Sequence, residues 1–575
     1  MQIQHRQPIL SHVIDNSLPP LLDRLYRNRG ITDVAQIQTQ LKELHHYNTM
    51  KGIDLAVKVV ADAMEINKRI CIIGDFDADG ATSTALCILA MRDFGFSNIS
   101  YLVPNRFDFG YGLSPEIVDV AKQEKAELLI TVDNGISCIA GVEHAKSLGM
   151  QVVVTDHHLP GATLPQADAI VNPNQADCAF LSKNLAGVGV AFYLMLALKT
   201  ELEKRHWFAS KELAKPNLAK YLDIVALGTV ADVVPLDNNN RVLVHQGLQR
   251  IRSGVARPGI KAILDVASRP CHKLSSTDLG FVIGPRLNAA GRLDDMALGI
   301  ECLLCEDPQQ ARQMAARLDA LNLERREIES SMQEEAIKAL DSVAFSKGDI
   351  PSGVVLYKDD YHQGVIGILA GRIKEKYFRP TIVFAEQDDN SVKGSARSIP
   401  GVHIRDILEY ISSQHPGLIA KFGGHAMAAG LSLEKNKLAT FKKAFEEAVL
   451  EATKGLGSEP ILLSDGSLPS HEINVENASL LKLAVPWGQT FEEPLFDGVF
   501  MLKTQRIVGK KHLKMIVAQG GVEFDAIAFN IDTQQWPNKQ IREVELAYKL
   551  DINEFRGQIS VQLLVQDLTP YNTGT

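Results

Sequence analysis

The sequence has no apolar run of the roughly 18 residues that a membrane-spanning helix needs. Residues 1–20 also lack the basic-then-apolar pattern of a secretory signal peptide. We therefore expect a cytoplasmic protein with no membrane-bound segment. The apolar content of 45% and the charged content of 22% are ordinary for globular domains, and a length of 575 residues predicts three or four of them.

The sequence also has few cysteines and no net positive charge. The seven cysteines are scattered, and one close pair, Cys302 and Cys305, lies in an apolar helical pattern with no second pair nearby. Because a structural zinc site needs four ligands, we interpret both as buried core residues. The net charge of −9 does not indicate a nucleic-acid partner, so any basic binding surface must be local. No oligomerisation signal is present, and we expect a monomer.

Short apolar runs alternate with helical patterns between residues 69 and 171. The runs are 70–73, 101–103, 128–132, 152–154 and 169–171, and the helical segments between them are 82–93, 114–124 and 137–148. Continuous apolar strands separated by helices predict an α/β fold with a parallel sheet covered on both faces. In such sheets, functional groups collect at the carboxyl ends of the strands.

Acidic and imidazole side chains follow three of these predicted strands. Asp75, Asp77 and Asp79 follow the first, Asp133 the third, and Asp156, His157 and His158 the fourth. Carboxylates packed together repel one another unless a cation lies between them, and hard divalent cations prefer carboxylate oxygens. Imidazole among the carboxylates favours Mn²⁺ or Mg²⁺ over Ca²⁺. The convergence predicts a metal site, whereas residues 74–80 alone also fit a solvated acidic turn.

Two more acids lie in the helical pattern of residues 221–232. Asp223 and Asp232 are nine positions apart (232 − 223), which is half a turn out of phase at about 100° per residue. Both therefore cannot face one metal ion on a straight helix. The spacing leaves open which of the two belongs to the site.

Together these motifs resemble the DHH phosphoesterase superfamily and, within it, the RecJ family of single-strand-specific exonucleases. The stretches that carry the RecJ resemblance are 104–112, 284–292, 394–398 and 422–430, and the likeness runs from about residue 45 to the C-terminus. It implies that two Mn²⁺ or Mg²⁺ ions are bound by Asp77, Asp79, Asp133, His157 and Asp232. It thereby selects Asp232 over Asp223. Asp75 and His158 would support these ligands or contact substrate, and Asp156 belongs to the same catalytic group.

Polar residues in these stretches are candidates for substrate binding. They are Arg106, Tyr111, Arg286, Asn288, Arg292, Ser395, Arg397 and His425. Residues 284–292 are expected to form a glycine-rich turn suited to phosphate, because arginine offers a planar charged fork and glycine exposes backbone amides. Ser395 and Arg397 are expected on one face of a short strand, as their i, i+2 spacing indicates. Which arginine holds a terminal phosphate stays open.

The expected organisation is a parallel-sheet DHH domain joined by a long helix to a smaller α/β DHHA1 domain, followed by an OB-like β-barrel. Its segments are 1–65 (helical), 66–306 (DHH catalytic domain), 307–342 (long connecting helix), 343–458 (DHHA1, substrate-binding) and 459–575 (barrel, nucleic-acid-binding). The barrel is predicted from regular short strands without helices and from five basic residues and no acidic ones in 501–520. Before it, Thr490 occupies a position where the family often has glycine.

The resemblance implies a 5′-to-3′ exonuclease that degrades single-stranded DNA to 5′-mononucleotides by two-metal hydrolysis, in recombination and in mismatch and base-excision repair. It also implies single-stranded-DNA-binding protein and a RecQ-type helicase as partners. The alternative is a DHH-type oligoribonuclease or cyclic-dinucleotide phosphodiesterase on short substrates, but such enzymes are shorter and lack the barrel. A non-catalytic scaffold of the same fold is disfavoured because the predicted metal ligands are intact.

Overall fold

The computed structural model describes residues 2–105, 112–347, 350–455, 460–555 and 557–571. The helices are α1 Pro20–Arg27, α2 Ile53–Glu65, α3 Ala78–Asp93, α4 Pro115–Gln123, α5 Ile139–Ser147, α6 Gly187–Lys204, α7 Trp207–Ser210, α8 Leu222–Ala231, α9 Asn238–Arg252, α10 Pro258–Val266, α11 Ser276–Asp278, α12 Gly284–Leu293, α13 Ala297–Leu304, α14 Pro308–Lys347, α15 Ile366–Tyr377, α16 Ile404–Gln414, α17 Leu438–Ala452 and α18 Val475–Ala484. The strands are β1 Gln2–His5, β2 Ile70–Ile73, β3 Ile99–Leu102, β4 Leu128–Val132, β5 Gln151–Thr155, β6 Ala169–Val171, β7 Val354–Tyr357, β8 Thr381–Asp388, β9 Ser391–Arg397, β10 Lys421–Gly424, β11 Ala428–Glu434, β12 Ile461–Ser464, β13 Phe496–Val508, β14 His512–Gln519, β15 Val522–Ala528, β16 Glu543–Phe555 and β17 Gln558–Pro570. None of the helices in these ranges is long and apolar enough to cross a membrane.

The chain divides into two compact units. The larger contains residues 3–291, 295–319 and 462–575, and the smaller contains residues 1–2, 292–294 and 320–461. The long helix predicted at 307–342 is α14, whose first turns belong to the larger unit and whose remainder belongs to the smaller.

A five-stranded parallel sheet organises the larger unit, as the sequence predicts. Its strand order is β3-β2-β4-β5-β6, and every neighbouring pair runs parallel. The chain moves outward from β2 to β3 and then returns to the other side of β2 to form β4. The strand order therefore reverses between β2 and β4. Open α/β sheets bind ligands in the crevice at such a reversal.

The smaller unit contains a mixed five-stranded sheet of order β10-β11-β9-β8-β7. The β7 and β8 strands are parallel and joined through α15, whereas β9 pairs antiparallel with β8 and β11. Its apolar core includes Phe384, Phe441 and Phe445, all fully buried. The prediction of a second, smaller α/β domain is confirmed.

The C-terminal strands form a closed barrel of order β13-β14-β15-β17-β16. The β15 and β17 strands run parallel while the other neighbouring pairs run antiparallel. This connectivity is that of a five-stranded OB-fold, so the predicted barrel is confirmed. The prediction that this region lacks helices is wrong, because α18 precedes the barrel. Phe496 and Phe500 are buried in the barrel, so they are core residues.

The N-terminal region is only partly helical. Its first residues form β1, which pairs with β12, and 3₁₀ turns occupy much of the chain between α1 and α2. Arg29 donates to both carboxylate oxygens of Asp465 at 2.9 Å, and both side chains are buried. This ion pair attaches the N-terminal segment to the chain before the barrel. Cys302 is buried as predicted, but Cys305 is partly exposed because it follows the last turn of α13.

The linker residue Thr490 has a left-handed backbone, with φ +59°. A β-branched residue is strained in that region, whereas glycine is not. The exposed Thr490 side chain contributes little packing in compensation. We expect Thr490→Gly to raise the unfolding midpoint by relieving about 1 kcal/mol of strain. Thermal denaturation measures this, with Asn530→Gly (φ +54°) as a control that gains less because asparagine tolerates the conformation. An unchanged or lower midpoint for Thr490→Gly would contradict the expectation.

Candidate metal centre

The acidic loop after β2 is held by the start of α3. The Asp77 side chain accepts the backbone N–H groups of Asp79 and Gly80, both at 3.0 Å, and so caps the helix. A Cβ at position 80 would lie 2.4 Å from the carbonyl oxygen of Asp75, so only glycine fits there. The shape of the turn therefore results from the Asp77 cap and from the close approach of Gly80 to the Asp75 backbone. The turn directs the carboxylates toward the strand-order reversal.

Three other elements deliver side chains to the same point. The Nε2 atom of His157, after β5, lies 3.1 Å from Asp133 Oδ1, 3.4 Å from Asp232 Oδ2 and 4.0 Å from Asp79 Oδ2. Asp133 follows β4 with φ +62°, and Asp232 ends α8. The five ligands implied by the RecJ resemblance thus lie at one place in the larger unit.

The ligand atoms form overlapping groups, each within 4.8 Å. The groups are Asp79, His157 and Asp232; Asp75, Asp77 and Asp133; and Asp133, His157 and His158. The first two share no residue, and the third joins them through Asp133 and His157. The arrangement accommodates two adjacent cations. It includes Asp75 and His158 beside the five ligands expected from the sequence.

The electrostatics of the group favour a divalent cation. Burial, followed by the charges of Asp79 and Asp77, raises the pKa of Asp133 well above its usual value. Burial and Asp77 raise the pKa of Asp79 to about 7, and burial and Asp79 raise that of Asp232. Burial and His158 lower the pKa of His157 to about 4, so its imidazole is neutral. Carboxylates that repel one another beside a neutral imidazole form a donor set suited to Mn²⁺ or Mg²⁺.

Two buried atoms at the centre also lack hydrogen bonds. Among the described residues, His157 Nε2 and Asp232 Oδ2 have no hydrogen-bonding partner, and the close approach of His157 to Asp133 does not meet hydrogen-bond geometry. Buried polar atoms are normally satisfied, and a metal ion would satisfy both. The residues therefore fit the metal pair.

Asp156 supports the centre without belonging to any of the three ligand groups. Its oxygens accept the N–H groups of His157 and Ile136 at 2.7 and 2.9 Å, and it lies 2.7 Å from His158 Nδ1. Burial opposes its ionisation, but the bond to His158 prevails and the pKa of Asp156 is lowered. Burial likewise opposes the charge on His158, but Asp156 raises its pKa to about 9. Asp156 and His158 therefore form an ion pair.

Two backbone N–H groups that position Asp79 belong to no catalytic motif, so the sequence does not identify them. The backbone N–H groups of Gly187 and Val188, at the start of α6, donate to the two Asp79 oxygens at 2.6 and 2.8 Å. A Cβ at Gly187 would lie 2.5 Å from that of Asp133. The one available signal was a glycine pair opening a long apolar helix.

The expected glycine-rich turn at residues 284–292 is wrong, since these residues form α12. Its glycines allow close packing: a Cβ at Gly291 would lie 1.9 Å from the carbonyl oxygen of Phe76. Asn288 Oδ1 accepts the backbone N–H of Ala78 at 2.8 Å, so α12 holds the acidic loop. Arg286 is bound to Asp319, with its Nε 2.9 Å from the carboxylate.

Asp223, the acid that the spacing left in competition with Asp232, lies in another environment. It is buried and accepts the backbone N–H groups of Arg257 and Ile224 at 2.9 Å. Its guanidinium neighbour, Arg257 Nε, lies 3.8 Å away. These contacts give Asp223 a structural role, and it is in none of the ligand groups formed by the described residues.

A separate polar cluster lies in the smaller unit on β9. Arg397 Nη1 donates to Ser395 Oγ at 3.1 Å and to its neighbour's carbonyl at 2.8 Å, and no acidic side chain among the described residues forms an ion pair with it. Burial lowers the pKa of Arg397. A Cβ at Gly367 would lie 2.9 Å from Ser395 Oγ and 3.0 Å from Arg397 Nη2, so glycine leaves space for both groups.

The structure describes two of the four remaining substrate-binding candidates. Arg292 donates to the carbonyl oxygen of Gly364 at 3.1 Å within the smaller unit. The backbone N–H of His425 donates to Ala428 at 2.8 Å in the turn between β10 and β11. Arg106 and Tyr111 lie outside the described residues.

Three protein-family models match successive parts of the chain. Residues 69–229 match the DHH family, N-terminal domain, residues 351–451 match the DHHA1 domain, and residues 464–567 match the RecJ OB domain. The single-stranded-DNA-specific exonuclease RecJ of Salmonella typhimurium is 55% identical over 571 residues, covering 99% of each chain.

Two crystal structures of RecJ from Thermus thermophilus are similar to this fold. The complex with Mn²⁺ has a TM-score of 0.76 at 28% identity and covers 97% of this chain and 79% of that chain. The complex with Mg²⁺ has a TM-score of 0.71 at 26% identity, covering 97% and 78%. With a full-length relative at 55% identity and all three domains matched, the chain belongs to the RecJ family of single-stranded-DNA-specific exonucleases.

Proposed function

We propose that the protein hydrolyses single-stranded DNA from its 5′ end and releases 5′-mononucleotides. The observation that carries this proposal is the convergence of Asp79, Asp133 and His157 at the strand-order reversal of a parallel sheet. A relative named as a single-stranded-DNA-specific exonuclease matches the whole chain, and the structures of Thermus thermophilus RecJ contain Mn²⁺ or Mg²⁺. Full-length identity and the barrel disfavour the short-substrate phosphodiesterases.

The proposed ligands of the two ions are Asp77, Asp79, Asp133, His157 and Asp232, and Asp75 lies close enough to join them. When bound, Mn²⁺ or Mg²⁺ polarises the phosphodiester and supplies a hydroxide near neutral pH. Asp79 is oriented by two backbone amides, so its oxygens stay fixed toward the centre. The protonated His158, held by Asp156, offsets part of the acidic charge beside the scissile phosphate.

Arg397 and Ser395 are the best candidates for binding a terminal phosphate. Arg286 is neutralised by Asp319, whereas no acidic side chain among the described residues neutralises Arg397. A guanidinium and a hydroxyl on one strand face offer donors to several phosphate oxygens. A residue pair that binds a 5′-phosphate would select the 5′ end of a strand. Asn288, Arg292 and His425, with Arg106 and Tyr111, complete the proposed substrate-binding group.

We further propose that the barrel provides a second binding surface for the strand, in addition to the catalytic centre. Four basic residues lie on β13 and the turn that follows it, and all four are exposed: Lys503, Arg506, Lys510 and Lys511. Phosphate contacts of this kind add affinity that falls as salt concentration rises. The domain boundaries given above, action as a monomer in the cytoplasm, roles in recombination and repair, and partnership with single-stranded-DNA-binding protein and a RecQ-type helicase are parts of the same proposal.

A time course on one long strand, labelled at either end, tests the proposal. With Mn²⁺ or Mg²⁺, we expect early release of 5′-labelled mononucleotide while the 3′ label stays on shortening strands. A duplex and a dinucleotide are the comparison substrates, and both should be digested more slowly. Early release from the 3′ end would contradict the polarity, and faster digestion of the dinucleotide would favour the short-substrate alternative.

A further inference from the structure

Two exposed apolar residues lie beside the end of α8, where Asp232 is placed. Phe281 is 80% exposed, the highest value among the large apolar side chains of the described residues. It lies in the π-helical segment Leu279–Ile283, a form that is rare and frequently found at functional sites. Val233, which follows Asp232, is 64% exposed and has φ +60°. Left-handed backbone at a β-branched residue is strained and persists where the surroundings impose it.

Glycine contacts place the π-helical segment against α8. A Cβ at Gly280 would lie 3.3 Å from Val230 Cγ1, and one at Gly284 would lie 3.2 Å from Ala231 Cβ. Phe281 lies between these two contact positions in sequence, and Ala231 is adjacent to Asp232. From there α12 continues to Asn288, which binds the acidic loop. Phe281 is therefore exposed on a segment that packs directly against the helix end carrying a metal ligand.

We propose that Phe281 is a stacking platform for a base of the single strand at the metal centre, with Val233 contributing a second apolar contact. This inference rests on the proposed function, because it takes single-stranded DNA as the ligand. Exposed aromatic rings are the usual means of binding unpaired bases, since every base presents a π-face. Bases stacked in a duplex do not present that face, so the platform favours single strands.

The physical argument concerns binding rather than bond cleavage. Neither Phe281 nor Val233 carries a group that can transfer a proton or bind a metal ion. Base stacking on an aromatic ring contributes about 1–3 kcal/mol per base, which corresponds to a change in affinity of about 5- to 150-fold. The effect should appear in KM and in binding affinity, while kcat at saturating strand stays close to that of the unaltered protein.

Phe281→Ala tests the platform in the full-length chain. Binding of a fluorescent oligonucleotide is measured with the divalent ions chelated, so that affinity is read without hydrolysis. We expect Phe281→Ala to weaken binding at least fivefold and Phe281→Trp to preserve it. Ile66→Ala is the matched control, because Ile66 is 69% exposed but precedes β2, at the amino end of the sheet. Equal affinity of Phe281→Ala and the unaltered protein would overturn the proposal.

A strand with abasic positions separates stacking from a merely structural role. Loss of bases should weaken binding by the unaltered protein and have little effect on Phe281→Ala, because that variant has already lost the stacking contact. Equal losses in both proteins would overturn the inference. Failure of the unaltered protein to digest single strands would instead contradict the proposed function, and the two failures are therefore distinguishable.

Discussion

Replacing Asp133 with asparagine should reduce hydrolysis of single-stranded DNA by roughly 10³-fold or more, because metal-bound charge stabilisation supplies several kcal/mol to such reactions. Asp133 belongs to two of the three ligand groups, and its Oδ1 lies 3.1 Å from Nε2 of His157 in the remaining group, so its loss should affect both proposed cation positions. Asparagine is preferable to alanine because the backbone at this position is left-handed, with φ +62°, and asparagine tolerates that conformation.

The same substitution should make the folded protein more stable, although it reduces activity. The pKa of Asp133 is raised by burial and by the surrounding carboxylates, so its ionised form is unfavourable in the folded protein. Removing that charge should raise the thermal unfolding midpoint measured in a chelator. The stabilisation that Mn²⁺ gives to the unaltered protein should fall sharply, because a ligand stabilises the state it binds.

Asp223→Asn is the matched control for this prediction. Asp223 is also buried and lies on α8, but it binds Arg257 and is in none of the ligand groups. We expect it to leave the response to Mn²⁺ and the activity of the folded fraction unchanged, whatever its effect on the unfolding midpoint. Normal digestion by Asp133→Asn in Mn²⁺ would show that the metal assignment is wrong.

The sequence predicts the candidate metal centre best where acidic residues come soon after apolar strands. The strands before Asp75, Asp133 and Asp156 are apolar and uninterrupted, so their carboxyl ends were predictable, and parallel pairing brought those ends together. The order β3-β2-β4 was not predictable, because each pairing depends on long-range packing. That order nevertheless decides that the acidic loop and Asp133 flank the reversal.

The errors arose where one residue type serves two physical purposes. The glycines of 284–292 predict a turn, but Gly291 instead permits close contact of α12 with the acidic loop. The choice among arginines also required the fold, since Asp319, which neutralises Arg286, is 33 residues away in the chain. The strain at Thr490 was visible only as a departure from the family's usual glycine.

Replacing Arg397 with methionine should lower kcat/KM on a 5′-phosphorylated strand by about ten- to a hundredfold. Hydrogen bonds to charged groups contribute about 1.5–3 kcal/mol, and methionine keeps an apolar stem of similar length without the donors. The loss should be much smaller on a strand that begins with a 5′-hydroxyl. The variant should therefore lose the preference of the unaltered protein for phosphorylated ends, which competition between the two substrates measures.

The unfolding midpoint identifies the cause of that loss. The guanidinium of Arg397 is partly desolvated, and no carboxylate among the described residues neutralises it. Removing it should therefore leave the midpoint unchanged or raise it, as expected for a charge maintained for binding at a cost in stability. Arg405→Met on α16 is the control, because Arg405 is exposed and its removal should change neither quantity. A retained preference for 5′-phosphate in Arg397→Met would assign the terminal phosphate to another residue, whereas a lower midpoint would indicate that Arg397 instead stabilises the smaller unit.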